Sequence, residues 1–224
     1  MAQSTNVSIT LLRNLPLFAG LDDERLSVLA RVTVRTGFGR NSTIIAAGDP
    51  TDSLYIVVSG RLKVMMGDEQ GREVILSILG PGEFFGEMGL LDDLPRSASV
   101  VTLEPCELLK ISKADFKRSL AENFGLSLTV MRGLVKRLRE ADRKIGSLAM
   151  MDVYGRVARL LMEMSEDVGG EKVVVRKMSK QDIAKMIGAS REMVSRVMKD
   201  LELGGYIEVR GHSIVLRNSS LLAE

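Results

Sequence analysis

Between residues 34 and 111 the chain falls, at intervals of about ten residues, into short β-prone runs: NSTIIAAGD, SLYIVVSG, RLKVMMGDEQG, REVILSILGPGE, SASVVTLE and CELLKIS. Runs of this length with glycines at their joints predict antiparallel strands, closed into a sandwich or barrel of jelly-roll type. DEQG at 68–71 is the expected connection of one hairpin. Ahead of the β region, residues 9–32 read as helical, with Asp22 and Asp23 opening DERLSVLARV.

After residue 111 glycine thins out and the period changes. Met131, Leu134, Leu138, Ala141, Ile145 and Leu148 step by 3, 4, 3, 4 and 3, which is the a/d seam of a heptad repeat. Lys136, Arg137, Arg139, Glu140, Arg143 and Lys144 flank the seam, and a helix buried on both sides would not carry them. The seam therefore predicts a homodimer; packing against the chain's own sandwich is the alternative. MDVYGRVARLLMEMSED reads as a second amphipathic helix, with Val157, Leu160, Leu161 and Met164 on one face, stopped by Gly169 and Gly170. KVVV is a short strand. Ser179 and Asp182 form a capping box at the start of SKQDIAKMI. Gly188 makes a turn, Ser190 caps the next helix, and two short helices joined in this way are a helix-turn-helix. YIEVR and IVLR around GHS make a hairpin, the wing of a winged variant. The fold class is thus α+β: a sandwich, a long helix, and a winged helix-turn-helix.

Charge divides along the same line. Residues 1–129 hold 13 Lys/Arg and 16 Asp/Glu, and residues 130–224 hold 18 and 13. A basic half on a chain of net charge +2 points to a polyanion as that half's partner. One cysteine, Cys106, rules out an internal disulfide and any multi-cysteine metal or iron–sulfur site. One histidine, His212, gives neither a metal cluster nor a positioned base, so an enzyme, a metal site and a haem are not expected. No apolar run reaches the roughly 18 residues of a membrane span, and MAQSTNVSIT lacks the pattern of a signal segment. A cytoplasmic protein without a membrane partner is expected.

On a helix beginning at Arg191, the residues Arg191, Ser195, Lys199, Glu192 and Arg196 share an arc of about 140°, and Met193, Val194, Val197, Met198 and Leu201 fill the other side. The second helix of a helix-turn-helix enters the DNA major groove. Arginine there suits guanine O6 and N7, and glutamate accepts from cytosine N4. A glutamate between two arginines makes sense if it reads a base and helps orient a guanidinium; a solvated surface helix is the plain alternative. Ser179, Lys180 and Gln181 start the preceding helix and are candidate phosphate contacts, and His212 sits in the wing turn.

The stretch from Val168 to Leu216, and above all the S-R-E-x-V-x-R pattern from Ser190 to Arg196, resembles the DNA-binding domain of the Crp–Fnr superfamily of bacterial transcription regulators. The resemblance runs from about residue 15 to 217. It implies double-stranded DNA as partner, with Arg191, Glu192 and Arg196 reading a TGTGA-type half-site and a second subunit reading TCACA. RNA polymerase is a further candidate partner, through a surface the sequence does not mark.

GEFFGEMGLLDDLPRSASV, residues 82–100, combines Gly-rich turns at Gly82 and Gly86 to Gly89, which free backbone N–H groups for an anion, with Arg96 and Ser97. It resembles the phosphate-binding cassette of cyclic-nucleotide-binding domains. By that match Gly86 and Ser97 contact the cyclic phosphate, Arg96 neutralises it, Glu87 holds the ribose 2′-OH and Arg137 pairs with Glu87; Met88 and Ala98 lie in the same motif. Ala141 and Asp142 fall where the family meets the base. Alanine cannot accept from the adenine amino group, whereas a carboxylate accepts from guanine N1–H and N2–H together. Cyclic AMP is the first expectation for the effector, with cyclic GMP and cyclic di-GMP as rivals. A regulator that needs no nucleotide, and a cyclic-nucleotide-binding scaffold for a protein partner, stay open as alternatives. The implied organisation is a sensor domain at 1–121, a dimerisation helix at 122–149 and the DNA-binding domain at 150–224, with Asp152 at the hinge.

Overall fold

The computed structural model describes residues 7–175 and 178–217. The outer ends of the first and third expected domains, and most of the segment behind the signal-sequence argument, lie outside the described residues. Two compact units divide within the long helix, at residues 1–137 and 138–224.

The first unit opens with α1 (Ile9–Arg13), a single 3-10 turn at Pro16–Phe18 and α2 (Asp23–Val32). The expected helix over 9–32 is therefore split. Pro16 suits the first position of a new turn, and Asp22 caps α2 by accepting from the Arg25 amide. Eight strands follow: β1 (Thr33–Phe38), β2 (Thr43–Ile45), β3 (Ser53–Ser59), β4 (Leu62–Gly67), β5 (Glu73–Leu79), β6 (Phe84–Phe85), β7 (Ser99–Thr102) and β8 (Cys106–Ser112), with the short helix α3 (Met88–Leu91) between β6 and β7. They pair antiparallel in two sheets ordered β1-β8-β3-β6 and β2-β7-β4-β5. The sandwich is as expected, and the DEQG turn joins β4 to β5, where Asp68 accepts from the amides of Gln70 and Arg72.

The run SLYIVV is apolar at every position after its serine because β3 is covered on both faces. Leu54 and Ile56 enter one core with Leu12, Phe18, Leu26 and Phe116 from the helices. Tyr55 and Val57 enter the core between the sheets with Leu62, Phe85 and Leu108. α4 (Lys113–Glu122) and the start of α5 (Phe124–Met150) close the helical side, through Phe116, Leu126 and Val130.

The second unit holds the rest of α5, then α6 (Val153–Glu163), β9 (Glu166–Val168), β10 (Glu171–Val174), α7 (Lys180–Ile187), α8 (Arg191–Leu203), β11 (Ile207–Arg210) and β12 (Ser213–Leu216). The sheet order is β11-β12-β10-β9. Residues Glu166 and Asp167, expected at the end of a helix, are in β9 instead. Gly169 and Gly170 both adopt positive φ, +63° and +84°, and this two-residue turn folds EDV back onto EKVV. α6, α7 and α8 pack Val157, Leu161, Ile183, Ile187, Val194 and Leu201 around one core with Ile207, Ile214 and Leu216. Among the described residues no helix is long and apolar enough to cross a membrane.

Candidate effector cassette and DNA-reading helix

The cassette between β6 and β7 is built around one buried arginine. Arg96 is 4 % exposed. It donates Nη1 to Gly86 O at 2.8 Å and Nη2 to Ser53 O at 2.8 Å and to Asp52 Oδ1 at 3.2 Å. Its backbone is fixed to the turn before β3, by Arg96 N–H to Asp49 O and Gly48 N–H to Arg96 O. Gly86 has φ +85°, and a Cβ there would run into Arg96 Nη1. Gly89 is closed in as well, since a Cβ would stand 2.5 Å from Leu94 O. The glycines of the motif are therefore steric requirements of the arginine's seat and of the loop behind it. The Asp52 carboxyl is held below its ordinary value, first by the Ser53 hydroxyl and then by Lys110 and Arg96.

Glu87 is 1 % exposed and pairs through Oε1 with Arg137 Nη1. Arg137 also donates to Phe84 O, and its guanidinium lies 5.1 Å from the centre of the Phe84 ring. Gly133, one turn earlier on α5, leaves space for that ring: a Cβ would come within 2.9 Å of it. The expected Glu87–Arg137 pair is thus present, and it links the cassette to the middle of the long helix. Glu87 Oε2 and Arg96 Nε are buried without a hydrogen-bond partner. One is an acceptor and the other a donor, and leaving either unpaired costs about 1–3 kcal/mol. A ligand hydroxyl and a ligand anion are the complements of these two atoms. Ser97 is exposed beside Met88, its hydroxyl 3.8 Å from the Met88 sulfur, and Ala98 is buried. Ala141 and Asp142 lie on the part of α5 in the second unit, and both are exposed. Asp52, Ser53 and Phe84 were not legible as site residues. Asp52 and Ser53 lie more than 40 residues from Arg96 in the chain, and no spacing rule connects them.

Of the expected seam, Leu134 packs against the first unit's core, as the alternative reading had it. The others face outward: Leu138 is 62 % and Ile145 65 % exposed, and Met131, Ala141 and Leu148 are exposed too. Val135, outside the heptad count, is exposed as well. Asp152 caps α6 by accepting from the Gly155 amide at 2.8 Å, so the break between α5 and α6 falls at the expected junction.

In the second unit Gly188 takes the left-handed conformation, φ +64°, that ends α7, and Ser190 caps α8 by accepting from the Met193 amide. Arg191, Glu192, Arg196 and Lys199 are exposed on one side of α8. Met193, assigned to the buried side, is 45 % exposed. The buried stripe is centred on Val194, Met198 and Leu201, and Met193 stands at its margin. The Glu192 carboxylate does not bridge to Arg196. It folds back on its own amide and the Ser190 hydroxyl, with Arg191 alongside, and these hold it below its ordinary value. The Ser179 hydroxyl is taken by Asp182, and Lys180 reaches across to the Ser195 hydroxyl at 2.9 Å. Gln181 is exposed at the start of α7, and His212 is exposed in the wing turn after Gly211. Among the described residues no group of three or more His, Cys, Asp or Glu is placed to hold a metal ion.

Two family models match this architecture: a cyclic nucleotide-binding domain over residues 35–123 and a Crp-like helix-turn-helix domain over 155–224. A CRP-like cAMP-activated global transcriptional regulator of Mycobacterium tuberculosis is 31 % identical, over 92 % of this chain and 94 % of its own. The chain belongs to the Crp–Fnr family of transcription regulators. Another relative, the cAMP-activated global transcriptional regulator Vfr of Pseudomonas aeruginosa, is 36 % identical over 81 % of this chain and 88 % of its own. Among solved structures, the c-di-GMP-responsive global regulator CLP of Xanthomonas campestris superposes with a TM-score of 0.75 at 30 % identity, covering 87 % of this chain and 99 % of that one. As a Crp–Fnr member the chain is a DNA-binding transcription regulator with a cyclic-nucleotide-binding domain, in a family of regulators and not of enzymes.

Proposed function

We propose that this Crp–Fnr regulator is a homodimer whose binding to a TGTGA-type palindrome is gated by a cyclic nucleotide. The observation that carries the gating is the pair of buried, unpartnered atoms in one cassette, Glu87 Oε2 and Arg96 Nε. A ribose hydroxyl donates to the first and a cyclic phosphate accepts from the second, beside Gly86 and Ser97, with Met88 and Ala98 in the same loop. Glu87 already pairs with Arg137 on α5, so a ligand hydroxyl at Glu87 bears directly on that helix. On the DNA side, exposed Arg191, Glu192 and Arg196 read the half-site, while Ser179, Lys180, Gln181, Ser190, Lys199 and His212 lie toward the phosphates. The outward row on α5 forms the dimer, and Asp152 marks the hinge between effector and reading helices. Such a protein works in the cytoplasm and meets RNA polymerase at its promoters.

Cyclic AMP is the first effector to test, in line with the relatives it activates. Asp142 favours a second reading, because an exposed carboxylate next to Ala141 suits a guanine edge; cyclic GMP and cyclic di-GMP are its candidates. Fluorescence anisotropy on a labelled TGTGA/TCACA duplex at fixed salt, with each nucleotide in turn, tests both. A tenfold or greater change with one nucleotide supports gating and names the effector. Specific binding that no nucleotide alters supports a ligand-independent regulator. An Asp142→Ala variant with unchanged nucleotide preference removes the guanine reading.

A further inference from the structure

The wing carries a closed ring of four charges. Glu208 and Arg210 lie on β11, Glu171 on β10, and Arg217 just past β12, the strand between them. Arg210 donates Nε to Glu208 Oε1 at 2.8 Å and Nη1 to Glu171 Oε2 at 2.9 Å. Arg217 donates Nη1 to Glu171 Oε1 at 2.7 Å and Nε to Glu208 Oε2 at 2.9 Å. Each carboxylate receives both guanidiniums, and the ring sums to zero charge. Arg210 is the residue next to the wing turn Gly211–His212. By contrast Arg196 and Lys199 on α8 are exposed and in no ion pair among the described residues.

A polyanion sees the summed field of a surface. The α8 side offers it unneutralised cations; the wing offers two arginines already matched, with two carboxylates that repel phosphate. Contacts to phosphate raise affinity for every sequence alike, and contacts to base edges discriminate. We propose that Glu171 and Glu208 set the electrostatic strength of DNA binding: they hold Arg210 and Arg217 away from the DNA backbone and so weaken sequence-independent binding. Hydrogen bonds from Arg210 and Arg217 keep the Glu208 carboxyl at about 2.

The test needs neither an effector nor the TGTGA site, so its outcome is independent of the gating reading. Binding of the full-length protein to a duplex of unrelated sequence is measured across a salt series, for wild type, for Glu171→Gln with Glu208→Gln, and for that pair combined with Arg210→Gln and Arg217→Gln. Glutamine keeps the hydrogen-bond acceptor and removes the charge. In the double variant the slope of log K against log salt steepens by about 1 to 2, close to one unit for each phosphate that a released arginine reaches, and low-salt affinity rises at least about threefold. In the quadruple variant the slope returns to the wild-type value. An unchanged slope in the double variant, or a steeper one that survives loss of both arginines, overturns the proposal. Should the double variant not fold, by circular dichroism, Glu208→Gln alone decides: a smaller steepening supports the restraint and none overturns it.

Discussion

Gly86 and Arg96 stand ten positions apart and depend on each other. The arginine's Nη1 occupies the volume a Cβ at residue 86 would fill, and the backbone there is left-handed at φ +85°. A Gly86→Ala variant carries a conformational penalty of roughly 1–2 kcal/mol for the left-handed residue and also displaces the guanidinium. Its expected outcome is a lower melting temperature together with loss of nucleotide binding. Arg96→Gln removes the charged donor and is expected to weaken cyclic-nucleotide binding by about 1.5–3 kcal/mol, roughly 10- to 150-fold, by titration calorimetry. Wild-type affinity in that variant removes Arg96 from the phosphate site. The chemistry of these residues was legible because the motif concentrates glycine, carboxylate, arginine and hydroxyl within a few positions. The seat beneath Arg96, made of Ser53 O and Asp52, was not. One contact is a backbone carbonyl, which any residue supplies, and the other comes from a strand entry that pairing brings near only in the fold.

At the scale of elements, strands β2, β3, β4, β5, β7 and β8 follow the glycine-punctuated runs. The failures are where a turn outranks a local pattern: Pro16 splits the first helix, and the Gly169–Gly170 turn converts the end of the second amphipathic helix into β9. β6 is only two residues long, too short for any period to show. The loop from α3 to β7 is held to α4 by Asp93, itself left-handed at φ +59°, through Lys113 at 2.6 Å and Lys117 at 2.8 Å. Hydrogen bonds from these two lysines keep the Asp93 carboxyl at about 2, against an ordinary 3.8. A carboxylate whose folded value is depressed stabilises the fold above its ordinary value and loses that contribution as pH falls toward the folded one. Thermal melts of Asp93→Asn are therefore expected to fall below wild type near neutral pH and to converge with it as pH drops to about 2. Equal melting at both ends of that range would mean that the exposed pairs contribute nothing measurable, a common result for surface ion pairs.

For the whole molecule the decisive surface is the outward row on α5. Of the residues in the heptad count, Leu138, Ile145 and Leu148 are exposed, whereas Leu134 packs on the first unit's core. A period alone cannot say which of two apolar surfaces a seam residue meets. Leu138 and Ile145 stay about two-thirds exposed in a single chain, and covering that remaining area stabilises by about 1–2 kcal/mol for each side chain. In a two-fold dimer each contributes twice. Leu138→Asp with Ile145→Asp would place two carboxylates per chain in that row without touching either folded core. The expected outcome by sedimentation equilibrium is a monomer where wild type is a dimer. Because two linked reading helices gain on the order of 10²–10⁴ in avidity over one, the same variant should lose about that factor on the palindrome while binding a single half-site as wild type does. A dimer that survives both carboxylates would place the subunit contact elsewhere. The palindromic mode of reading would then need a different pairing of the α8 helices.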